Sequence, residues 1–127
     1  MKIYTTYFSK IRLLPGDVVP ISISMKSPDW YKGLEYKKLA PKFNFFMEWK
    51  RNKNNGYYID HYYSEVLNKL NPEKVIEDLI NLIPSDHEIN GIALVCYEKP
   101  GIFCHRHIVA HWLIKNIGIK VLEFSDK

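Results

Sequence analysis

The stretch Ile92–Gly118, IALVCYEKPGIFCHRHIVAHWLIKNIG, decides the fold. It opens on Ile92-Ala93-Leu94-Val95, an unbroken apolar run of the kind found in a strand buried on both faces. Pro100-Gly101 interrupts it with turn chemistry. A helical pattern then continues to Gly118, a residue suited to a helix C-cap. Strand, loop and helix in this order form the unit with which α/β proteins hold ligands at the carboxyl ends of strands. Both cysteines, Cys96 and Cys104, fall in the stretch, together with three of the five histidines, His105, His107 and His111.

The rest of the chain fits around that unit. Lys2–Phe8, rich in β-branched and aromatic residues, reads as a first strand, and Val18–Ser24 as a second that begins near Pro20. Between them, Lys10–Leu14 reads as a short connection. Phe43–Arg51 looks helical, and Tyr57–Leu70 carries apolar residues at three-and-four spacing as an amphipathic helix. Asn71-Pro72 starts a further helix, with Asn as N-cap and Pro at the first position, running to about Ile83. Ser85–Asn90 reads as a polar loop with His87 exposed in it. A last strand, Ile119–Phe124, follows Gly118. This order implies an α/β fold: a single three-layer domain over 1–127 with a small, mainly parallel sheet of about four strands and helices on its faces. Residues 26–84 form a helical, aromatic-rich insert or lid, and 92–118 the strand-loop-helix motif.

Composition narrows the class. At 127 residues, 46% hydrophobic and 25% charged, the chain is that of a soluble globular domain. No apolar run approaches the roughly 18–20 residues of a membrane span, and Met1–Pro15 does not resemble a signal peptide. Two cysteines make no disulfide framework, so the reading is a cytoplasmic protein with reduced thiols. The net charge of +4 is uneven: Lys26–Lys53 holds eight Lys/Arg against three Asp/Glu. Lys26–Tyr63 also holds eleven of the eighteen aromatic residues. Such a segment either stacks on and neutralises a nucleotide or a nucleic-acid strand, or is a helical lid with core aromatics and solvated lysines. The same aromatics could equally form a homodimer face.

If Cys96 ends a strand, its thiol faces the first turn of the next helix, where unpaired N–H groups and the helix dipole favour anions. Arg106 would add a planar fork for phosphate or carboxylate. Cys104, at the helix start, would have a lowered pKa, and Glu98 would serve as acid/base or as a salt bridge to Arg106. Each has a plainer alternative; a cysteine ending a buried strand is commonly just a small hydrophobe. Cys96, Cys104, His107 and His111 offer zinc-type ligands at C-x7-C-x2-H-x3-H, which is not a standard zinc spacing. Cys96 and Arg106 are too far apart for the C-x5-R loop of tyrosine phosphatases. Ser22 and Ser24 end the second strand where a ligand could approach. Trp30 and Tyr31 form a ligand-facing rim or a buried plug.

Val95-Cys96-Tyr97-Glu98-Lys99 followed by Cys104-His105-Arg106 resembles the signature of the family called domain of unknown function 488, a C-x-E-K, short loop, C-H-R pattern between a strand and a helix. Leu34–Leu39 resembles the family's segment after the second strand, although this chain has Ile21-Ser22-Ile23-Ser24 where many relatives carry Asp-Val-Arg. Similar short forms occur in bacteria and phages. The resemblance implies an α/β fold and a site at Cys96, Glu98, Lys99, Cys104, His105 and Arg106, with no settled reaction.

The leading expectation is a small-molecule binding domain for an anionic nucleotide or nucleotide-derived signal. Its pocket lies at the strand end and helix N-terminus, roofed by Trp30, Tyr31, Tyr36 and Lys37. In a phage, such a domain could sequester a host immune signal. The alternatives are a thiolate enzyme acting on a nucleoside or nucleotide through Cys96 or Cys104, with His105 or Glu98 as proton carrier, and a nucleic-acid-binding protein. No cofactor, metal or membrane partner is expected.

Overall fold

The computed structural model describes residues 1–86, 88–99 and 101–125; His87, read above as an exposed loop residue, and Pro100, read as a turn former, lie outside them. Five strands form one parallel sheet: β1 (Lys2–Tyr7), β2 (Val18–Ser22), β3 (Leu34–Glu35), β4 (Gly91–Cys96) and β5 (Val121–Glu123), in the order β3-β2-β4-β1-β5. β4 lies at the centre, and every one of its residues is buried. A central parallel strand has no wet face, hence the unbroken apolar run that marks it in the sequence.

β3 escapes the sequence reading because two residues carry no period. It pairs only with Ile21 and Ser22. At Pro20, β2 therefore has a neighbour on one side only, and the missing N–H of proline breaks no ladder there. The strand starts at Val18 rather than at the proline itself.

The described residues form four α-helices: α1 (Phe43–Asn52), α2 (Asn55–Glu65), α3 (Pro72–Asn81) and α4 (His105–Ile117). Register places Ile3, Ile21, Ile92, Leu94 and Val121 on one face of the sheet. These residues join Phe45 of α1, Tyr58 and Tyr62 of α2, Leu79 of α3 and Val109 and Leu113 of α4 in one core. Each fully buried large apolar side chain contributes about 1.5–3 kcal/mol over an exposed one. The opposite face carries Thr6 and Val95. A 3-10 turn (Phe8–Leu13) supplies Phe8 there, which meets Trp30, Tyr31 and Tyr97 edge-on at 6.1, 5.3 and 4.9 Å. The third layer is thus a turn and a loop rather than a further α-helix.

Asn71 caps α3 as its sequence suggests: Oδ1 accepts from the N–H groups of Glu73 and Lys74 at 2.9 and 3.1 Å. Gly118 ends α4 at φ 67°, the left-handed conformation that glycine adopts without steric cost. The helix expected over Tyr57–Leu70 is shorter. It stops at Glu65, Val66 leaves helical geometry at φ −123°, ψ −70°, and Leu67–Lys69 forms a 3-10 turn. Burial explains the break, since the turn sinks both Val66 and Leu67 into the core. Among the described residues, no helix is long and apolar enough to cross a membrane.

Candidate functional site

β4 delivers Cys96 to the carboxyl edge of the sheet, and the following loop returns Cys104 to it as the N-cap of α4. The two sulfurs are joined as a disulfide, with Cα atoms 7.2 Å apart. This corrects the expectation of reduced thiols. The spacing of eight residues concealed the pairing because the loop doubles back over Gly101, which takes φ 89°. In this state neither cysteine is the thiolate that the enzyme reading requires.

His105 opens α4 and is buried. Its Nε2 lies 2.8 Å from the carbonyl oxygen of Ile23, which only accepts, so Nε2 carries the proton and Nδ1 keeps a lone pair. Burial depresses the imidazole pKa to about 4, so the ring is neutral near pH 7. Tyr62 meets the ring edge-on at 5.7 Å.

Arg106 is fully buried. Its Nε and Nη2 donate to the two carboxylate oxygens of Glu123 on β5 at 3.0 and 2.9 Å, a bidentate pair. Nη1 donates to Cys96 Sγ at 3.3 Å and to the Glu98 carbonyl oxygen, and the guanidinium lies 5.7 Å from the centre of the Tyr7 ring. Glu123 also accepts from the Thr5 hydroxyl at 2.7 Å. Arg106 is therefore committed to protein partners and is not the free anion fork that its position suggested. Its counter-charge is Glu123, not Glu98, which contributes only its backbone. Glu123 carries only a faint signal in the sequence: one carboxylate in the apolar run Val121-Leu122-Glu123-Phe124.

Beside this group opens a cavity of about 430 Å³. Ser24, Cys96, Cys104 and His105 line it at the strand ends. Phe46 and Trp49 of α1, Tyr58 of α2 and Phe103 form an apolar wall. The Phe103 ring centre lies 5.4 Å from Trp49 and 5.0 Å from Tyr58, an aromatic corner. Lys26, Lys50 and Glu98 bring charge to the lining. Among the described residues no side chain caps the N-terminus of α4; the His107 N–H is taken by the Cys104 carbonyl at 3.2 Å, and the start of the helix dipole brings positive potential to the cavity edge at Cys104 and His105. Ser24 Oγ is buried without a hydrogen-bond partner among the described residues, an arrangement that costs about 1–3 kcal/mol unless something binds it.

Of the residues expected at the site, Ser24, Cys96, Glu98, Cys104 and His105 meet at the cavity. Ser22 is buried and does not line it, its Oγ accepting from Ser27 at 2.8 Å. Trp30 and Tyr31 pack on Phe8, away from the cavity lining. Tyr31 donates to the carbonyls of Leu34 and Pro20, at 2.6 and 3.2 Å. Tyr36 donates to Asp78 at 2.7 Å, which anchors α3. Lys37 reaches the carbonyls of Ser24 and Met25 and pairs with Glu35 at 3.3 Å, holding the loop after β2. Lys99 is exposed and does not line the cavity. Apart from Phe103, the aromatic wall comes from the basic aromatic segment, through Phe46, Trp49 and Tyr58 rather than through Trp30, Tyr31 and Tyr36. His107 and His111 are exposed on α4. The metal-type group that does assemble among the described residues is Cys96, Cys104 and His105.

The family profile described as DUF488-N3a, active DUF488-N3 subclade, matches residues 9–117. The chain belongs to the DUF488 family. Comparison with curated proteins and with solved structures finds no match. The DUF488 signature residues Cys96, Glu98, Cys104 and His105 all border one cavity, and Arg106 lies behind them as the buried support of Cys96.

Proposed function

We propose that the cavity binds an anionic nucleotide or a nucleotide-derived signal. The observation that carries this reading is the aromatic corner of Trp49, Tyr58 and Phe103, which shares one cavity with the uncapped N-terminus of α4. A base stacked there gains about 1–3 kcal/mol, and a phosphate at the helix start gains from the first-turn N–H groups. Lys26 and Lys50 add positive charge, and the orphaned Ser24 hydroxyl supplies a polar contact. In a phage-borne domain, capture without turnover would sequester a host signal. Thermal-shift measurements with a panel of mono-, di- and cyclic nucleotides test the reading. Stabilisation that grows with ligand concentration and is lost in Trp49→Ala supports it, and an unmoved transition at millimolar concentration of every nucleotide refutes it.

A second reading is an enzyme that uses Cys96 as a thiolate once the disulfide is reduced. It is favoured by the 3.3 Å hydrogen bond from Arg106 Nη1 to Cys96 Sγ, which would stabilise the anion, and by the word "active" in the description of the matched subclade. Turnover of a nucleoside or nucleotide that survives Cys96→Ser would eliminate it.

A further inference from the structure

We propose that, in the reduced protein, Cys96, Cys104 and His105 hold one transition-metal ion, zinc or another thiolate-seeking divalent cation, with its fourth position open to the cavity. The three residues are 1%, 8% and 7% exposed. One ligand atom from each lies within 4.8 Å of the others. Ligands of a tetrahedral zinc ion, at about 2.0–2.3 Å from the metal, stand about 3.3–3.8 Å apart. The Cα atoms of the cysteines are 7.2 Å apart, past the usual 4.4–6.8 Å of a bridged pair, so parting the sulfurs to share an ion asks little of the backbone.

The surroundings fit as well. A metal-binding histidine ordinarily donates its second ring N–H to a carbonyl or carboxylate, which fixes tautomer and orientation. His105 does this, with Nε2 held by the Ile23 carbonyl at 2.8 Å and Nδ1 left with its lone pair. Arg106 Nη1 supplies an N–H to Cys96 Sγ, and its own charge is matched by Glu123, so no uncompensated cation opposes the metal. Two thiolates and a divalent ion sum to zero charge, which suits a buried site. Three protein ligands with a fourth position open is the pattern of catalytic rather than structural zinc, and the open position faces the aromatic cavity.

The chemistry balances through a cellular dithiol reductant. It gives two electrons and two protons to the disulfide and is itself oxidised to a disulfide. The two cysteine thiols then release their protons as the ion binds. This inference does not depend on the nucleotide reading.

Cobalt(II) is the probe, added without oxygen to the full chain reduced by a phosphine. The expected result is one equivalent bound, with a thiolate-to-cobalt charge-transfer band and the intense visible bands of tetrahedral cobalt, both abolished by zinc. Untreated, disulfide-bonded protein should show neither, a comparison that needs no substitution. Cys104→Ser should lose the charge-transfer intensity, whereas His107→Ala and His111→Ala should keep it. Absence of the bands in protein with two titratable thiols would overturn the proposal. So would undiminished bands in Cys104→Ser.

Discussion

Arg106 Nη1 donates to Cys96 Sγ across 3.3 Å, and this contact joins the interior of the sheet to the cavity. The guanidinium sits behind the sulfur, held flat by both carboxylate oxygens of Glu123. The position of Cys96 is therefore set from β5 as well as from its own strand. Removing Glu123 would leave a buried charge unmatched, which costs about 3–5 kcal/mol. Glu123→Ala is expected to lower the unfolding free energy measured by urea denaturation by that much, and Arg106→Met combined with Glu123→Leu to recover much of the loss. Equal destabilisation in both would show that the pair contributes packing rather than charge compensation.

Ser24 and Thr6 both bury a hydroxyl without a partner among the described residues, but of the two Ser24 lines the cavity. Ser24→Ala and Thr6→Val should each stabilise the free protein by about 1 kcal/mol, since each deletes an unsatisfied group. They should separate on ligand addition. Ser24→Ala is expected to weaken nucleotide binding several-fold, and Thr6→Val to leave it unchanged. Calorimetry on the two variants reads both effects.

Trp49 and Phe103 lie 5.4 Å apart in the aromatic wall, and Trp30 lies outside it. Trp49→Ala should weaken nucleotide binding about 5- to 100-fold, the range expected from one stacking partner. Trp30→Ala should not alter the affinity. Fluorescence titration is a direct readout, because Trp49 quenching should vanish in the first variant and persist in the second.

Burial, aided by the nearby Glu35 carboxylate, pushes the Tyr31 hydroxyl up from 10 to about 12. The native state thus holds this proton more tightly than the unfolded chain does. The resulting stability is present below pH 10 and is lost as pH rises from 10 towards 12. Tyr31→Phe should flatten its share of that decline, leaving the contributions of Tyr36, Tyr58 and Tyr62, whose hydroxyls are also pushed up. Urea midpoints measured across the alkaline range in both proteins check this.

The sheet was legible because its central strand and its helix caps are local signals. Ile92–Cys96, Asn71-Pro72 and Gly118 each act within a few residues. The cavity was legible in part. The C-x-E-K and C-H-R residues and Ser24 flank a strand end by simple succession. The aromatic wall could be assigned to a region but not to residues, because Trp49 and Trp30 differ only in which side of the sheet they reach. The Arg106–Glu123 pair spans the loop between α4 and β5 and obeys no period. The disulfide depended on a loop reversal that an eight-residue spacing does not announce.

Native mass spectrometry of the protein purified from its expression host, followed by denaturing release and identification of any small molecule, tests the central claim most directly. The account predicts one nucleotide-like anion per chain, co-purified or taken up from an added nucleotide pool, and absent from Trp49→Ala. A bare chain that takes up no nucleotide from that pool would contradict it.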